Sequence, residues 1–81
     1  MSNDGADPPI EAERIGPGQF LLDTALLRCG IVFSIEGRTF TVISQPAALA
    51  RRNYLVTVRE TEGPEVGRQL TVQLRLGVRR R

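Results

Sequence analysis

From Ile31 onward the apolar residues of this chain recur at every second position. In IVFSIEGRTFTVIS, Ile31, Phe33 and Ile35 share one face of a strand. Phe40 and Val42 share one face of the next, with Thr39, Thr41 and Ile43 on the other. Glu36-Gly37 between them supplies a hairpin turn, with glycine where φ is positive. YLVTVRET then alternates Tyr54, Val56 and Val58 against Leu55, Thr57 and Arg59. After the turn chemistry of EGPEVG, RQLTVQLRLGV sets Leu70, Val72, Leu74 and Leu76 inward against Thr71, Gln73 and Arg75. Clean alternation of this kind belongs to antiparallel sheets with one face in solvent. Four sequential strands with short connections predict an antiparallel meander that curls into a small SH3-like barrel or β-roll.

The rest of the chain is less regular. In GPGQFLLDTALLRCG, Leu22, Leu26 and Cys29 follow helical spacing, and Leu21 and Ala25 widen the stripe. Arg28 suits the last turn and Gly30 the C′ position, so a short helix is predicted over about 19–29, with a strand as the alternative. Cys29 would then pack as a small hydrophobe at the helix end. QPAALARRN has Pro46 where a helical turn could begin and Asn53 where it could end; a loop fits equally. Residues 1–18 hold three of the five prolines and four acids, with few apolar groups. Such a segment buries too little surface to offset its ordering entropy. The expectation is a flexible or extended acidic arm over 1–18, with Ile10 and Ile15 as its anchoring side chains on a neighbouring subunit. Residues 19–81 form a single α+β domain, mostly β.

Size sharpens the picture. About 65 residues remain for a core, where a single core is only marginally stable. With one cysteine and no histidine, neither a disulfide nor a metal cluster is expected to help. Assembly with other subunits becomes the natural expectation. MSNDGADPP has neither the basic n-region nor the apolar h-region of a secretory signal. The apolar runs are too short to span a membrane, and the lone cysteine fits synthesis in a reducing cytoplasm.

Charge adds an asymmetry. All eleven basic residues are arginine, whether through codon composition or for bidentate contacts that lysine cannot make. Residues 1–13 carry Asp4, Asp7, Glu11 and Glu13 and no arginine, which is −4. Residues 14–81 carry eleven arginines against Asp23, Glu36, Glu60, Glu62 and Glu65, which is +6.

Catalytic chemistry is sparse. Without histidine or lysine the common general bases and the Schiff-base amine are missing. Ser34, Ser44, Cys29 and Tyr54 have no evident activating partner, and four of the five carboxylates in the body fall in turns or at strand ends. There is no phosphate loop and no dinucleotide fingerprint. The reading is non-enzymatic, with no catalytic, cofactor or metal residues.

Two uses of the arginines remain. Arg51, Arg52, Arg59, Arg68, Arg75, Arg79, Arg80 and Arg81 are eight arginines in the last 31 residues, and Arg59 and Arg75 point outward on strands expected to be neighbours, where they could form one stripe. A basic β-barrel of that kind binds RNA or DNA, but the aromatics are needed in the core and only Tyr54 could be spared for stacking. Alternatively these arginines meet other protein subunits. An acidic arm on one copy would lie on the basic body of the next, and a last strand at the sheet edge would accept another chain.

The stretch GRTFTVIS…RRNYLVTVRETEG, from Gly37 to Gly63, resembles the hairpin region of tailed-bacteriophage head-closure (head–tail joining) proteins. The matching positions are Gly37, Arg38, Phe40, Val42, Arg52, Asn53, Leu55 and Glu60. The acidic arm and expected helix depart from that family, which has more strand-forming sequence ahead of the hairpin. Small capsid-decoration proteins, compact β-domains with extended arms, fit the arm better but share no motif. The resemblance implies a structural virion component without catalytic residues, forming a ring or covering shell subunits. The partners expected of the chain are other protein subunits, in a homo-oligomer or a larger particle, with no membrane and no small-molecule substrate.

Overall fold

The computed structural model describes residues 9–77. Seven strands carry the fold: β1 (Ile10–Gly16), β2 (Gln19–Leu22), β3 (Val32–Ile35), β4 (Arg38–Val42), β5 (Ala47–Ala50), β6 (Asn53–Glu62) and β7 (Gln69–Leu76). Six of them close into a barrel in the order β1-β2-β7-β6-β4-β3, with β5 attached to β6 outside the ring.

The predicted C-terminal pattern is observed. Phe33, Ile35, Phe40, Val42, Val56, Val58, Val72, Leu74 and Leu76 form the buried core with Phe20 and Leu22, while Ile31, Tyr54 and Leu70 pack partly against it. The β3–β4 hairpin turns at Glu36 (φ 53°) and Gly37 (φ 79°). Two consecutive positive φ angles are the turn whose twist matches a hairpin's.

The N-terminal half differs from expectation. Of the arm expected over 1–18, residues 10–16 form β1; residues 1–8 lie outside the described residues. Strand β1 pairs antiparallel with β2 and parallel with β3. No helix occurs among the described residues. In place of the predicted helix over 19–29, β2 is a strand, and residues 23–31 cross as a loop to β3. Phe20 and Leu22 are buried, while Leu26 of the expected stripe is 65 % exposed. Cys29 is exposed too, its Sγ 3.7 Å from the Val42 carbonyl oxygen. The reason is backbone pairing. One short helix stripe is marginal in isolation, whereas β2 as a strand bonds to β1 on one side and to β7 on the other. The segment after Pro46 likewise becomes β5 and not a helical turn.

Nor is the sheet a pure antiparallel meander. The β1–β2 hairpin inserts between β3 and β7, and both contacts it makes with them are parallel. Strand β7, expected as a candidate edge, therefore has β6 on one side and β2 on the other.

The strand and helix readings of β2 differ in thermodynamics. Leu22→Ala, at a fully buried position, is expected to cost about 2–5 kcal/mol in denaturant unfolding. Leu26→Ala should stay within about 0.5 kcal/mol; a helix stripe would make the two costs comparable.

Candidate functional site

Two regions draw together the residues able to recognise a partner. The first is the outer wall around β5. Ala47 lies opposite Leu55, Leu55 opposite Gln73, and Gln73 opposite Gln19. The next row runs Ala50, Asn53, Arg75, Leu21. Directly opposed residues share a sheet face, so β5, β6, β7 and β2 present one outer surface on which Arg75 is the only charge in these two rows. Ile15, 42 % exposed, joins Gln19, Asn53, Gln73 and Arg75 around a shallow polar cavity of about 260 Å³.

Strand β5 borders this surface and has β6 as its single neighbour. All four of its residues, Ala-Ala-Leu-Ala, are exposed. Its outer backbone edge is thus an uncharged, apolar template of the kind soluble proteins usually blunt with charge or proline. Pro46 precedes it and Arg51-Arg52 follow it. Arg52 turns the chain at φ 60°, and its carbonyl accepts the Leu76 N–H at 2.8 Å.

The expected partner-binding residues separate on this framework. Ile15 and Arg75 meet around one cavity, and Arg51 and Arg52 occupy the adjoining β5–β6 turn. Ile10 lies on β1, where it packs partly buried against the core and pairs with Phe33. Arg59 and Arg75 both point outward, but they stand at opposite ends of the β6–β7 ladder, opposite Gln69 and Asn53. That is about 20 Å apart at the rise of an extended strand, so they form no single stripe. Arg79, Arg80 and Arg81 lie outside the described residues.

The second region is one open end of the barrel, built from residues the sequence reading passed over. Glu60, expected at a solvated strand end, is fully buried. Arg38 holds it with two hydrogen bonds, Nη2 to Oε1 at 2.6 Å and Nε to Oε2 at 3.3 Å, and the Glu65 N–H donates to Oε2 at 3.2 Å. The hydrogen bonds from Arg38 hold the Glu60 carboxyl below its usual value of 4.5, outweighing the opposing effect of burial. Backbone bonds from Glu60 N–H to Arg68 and from Gly67 N–H to Glu60 close the β6–β7 loop around the same residue. A bulge between Thr39 and Phe40 on the β4–β6 ladder gives β6 an extra residue here.

Around this pair, Arg14 and Arg38 each lie over a phenyl ring, of Phe20 at 5.2 Å and Phe40 at 5.4 Å. The signal for Glu60 and Arg38 was present in the chain. Glu60 continues the inward phase of Tyr54, Val56 and Val58, and Arg38 that of Phe40 and Val42. Opposite charges on the inward phases of two strands are a pair once those strands are neighbours.

Comparisons with protein-family models, curated proteins and solved structures found no match to this chain.

The buried pair links stability to pH. Because the Glu60 carboxyl is lowered in the folded state, its stabilisation is fully present above the ordinary carboxylate range and disappears as pH falls through the lowered value. Glu60→Gln should lower Tm at neutral pH by roughly 10 °C. Its Tm should then fall less between pH 5 and pH 3 than that of the native protein; parallel acid limbs in thermal melts would contradict the assignment.

Gly63 is tied to the same group. It has φ 135°, and a Cβ there would collide with Glu60 Oε2 and lie 3.0 Å from Arg38 Cγ. Gly63→Ala should cost at least about 2 kcal/mol in denaturant unfolding.

Proposed function

We propose that this protein is a non-enzymatic structural or adaptor subunit of a multi-subunit assembly, a virion component of the head-closure, head–tail joining or capsid-decoration kind, using its small SH3-like barrel as a rigid scaffold. The observation that carries this reading is β5. A ring of six strands leaves few unpaired backbone groups, and β5 adds an exposed apolar edge outside that ring. An edge of this kind accepts a strand from another chain by main-chain hydrogen bonding. The adjoining wall, with Leu55, Gln73, Gln19 and Ile15, has the mixed apolar and neutral polar character of a subunit contact. Arg51, Arg52 and Arg75 border it and suit an acidic rim on the partner. The positions that carry the resemblance between Gly37 and Gly63 lie on β4, on β6 and in the turns beside them, so they flank β5 and include the strand that it pairs with.

The alternative of an RNA- or DNA-binding barrel has less support. Phe20, Phe33 and Phe40 are core residues and Tyr54 is half-buried, which leaves the walls without a stacking platform. The separation of Arg59 from Arg75 also divides the charge.

Association is the decisive measurement. In sedimentation and light scattering the native protein should form oligomers or join a particle, and Leu49→Lys should weaken this by about tenfold or more by placing a charge in the edge. Removing residues 1–8 tests the acidic segment without touching β1. A protein that stays monomeric at every concentration, joins no particle, and is retained on single-stranded DNA or RNA in a salt-dependent way would favour the alternative.

A further inference from the structure

The open barrel end contains a cavity of about 200 Å³ lined by Arg14, Gly18, Phe20, Ile35, Arg38, Phe40, Leu70 and Val72. Its floor is apolar and its rim carries two guanidinium groups. The two cations differ in how they are held. Arg38 is fixed by the buried Glu60 through Nε and Nη2. Its other N–H groups have no partner among the described residues, and its side chain is 29 % exposed. Among the described residues Arg14 makes one ion pair, from Nη2 to Glu36 Oε1 at 3.2 Å, and both side chains are about half exposed. A single exposed pair of this kind contributes little and exchanges readily.

We propose that this cavity is a binding site for a monocarboxylate carried on a compact apolar body. The apolar part fills the space over Phe20, Phe40 and Leu70, and the carboxylate takes the place of Glu36 on Arg14 while accepting from the free side of Arg38. Both guanidiniums are already positioned over rings, at 5.2 Å and 5.4 Å, so little ordering remains to be done on binding. Glu36 acts as an internal competitor: it pairs with Arg14 and swings into solvent when a ligand carboxylate arrives. The carboxylate could belong to a free organic acid or to the C-terminus of a polypeptide ending in an apolar residue. The chemistry recognised is the same. This site lies apart from β5 and does not depend on the assembly reading.

Opposed responses of two surface variants test the site. Phenylacetate and 3-methylbutanoate, titrated into the full-length protein by NMR, should shift Phe20, Phe40 and Leu70 saturably, and 2-phenylethanol should not. Arg14→Gln should weaken binding about tenfold, the scale of a charge-assisted contact. Glu36→Gln should tighten it about threefold by removing the competitor. A peptide ending in Leu that binds more tightly than either free acid, and loses binding when amidated, assigns the ligand to a polypeptide terminus. Equal or weaker peptide binding assigns it to a free acid. The proposal is overturned if the mouth resonances do not move, if the alcohol binds as well as the acids, or if the two variants shift affinity in the same direction.

Discussion

The constraint on which this fold rests is closure of the sheet. Strands β3, β4, β6 and β7 make a twisted antiparallel surface whose ends, β3 and β7, would each present a row of unpaired backbone groups. The N-terminal hairpin β1–β2 fills the gap between them. Each of its strands bonds to one of those ends, in parallel in both cases. Closure abolishes two edges and encloses the phenylalanine-rich interior in which Phe20 and Phe40 flank Phe33. It also explains why a sequence with helical spacing over 19–29 becomes a strand. A helix would satisfy its own backbone but leave β1 and β7 each without a neighbour on one side.

Closure also gives the barrel two different kinds of boundary. At one end the interior is finished with charge, through Arg38, Glu60 and the loop from Glu62 to Arg68, which folds back on the buried carboxylate. Replacing water around Glu60 with two guanidinium bonds and a backbone N–H makes a buried charge tolerable. It also pins Arg38 at the mouth, over Phe40. The interior's stability and the character of its opening are thus set by the same group. On the outer wall, β6 is longer than its neighbours need: β4 covers its second half, and β5 its first. The exposed edge of β5 follows from that excess length.

The hairpins and their inward residues were legible in the chain because period-two alternation depends only on neighbours two positions apart. Phe33 to Leu76 fell where the pattern placed them, and Glu36-Gly37 turned the chain where glycine chemistry required. The buried pair was half legible, since Arg38 and Glu60 lie on inward phases, but its meaning depends on β4 and β6 being adjacent. The arginines were read least well. Arg59 and Arg75 both point outward as expected, yet register alone sets them at opposite ends of one ladder, and register is not written in composition.

By itself, then, the sequence determined a small, mostly β domain, its hairpin turns, the faces of its C-terminal strands and its shortage of catalytic groups. These follow from local sterics and from burying one face of each strand. The tertiary structure alone decided that the N-terminal segment enters the barrel, that β7 is interior and β5 is the edge, and that Glu60 is buried on Arg38. Each of those depends on which strands become neighbours. That choice is made by satisfying backbone hydrogen bonds around a closed ring, a condition on the whole chain that no short stretch can express.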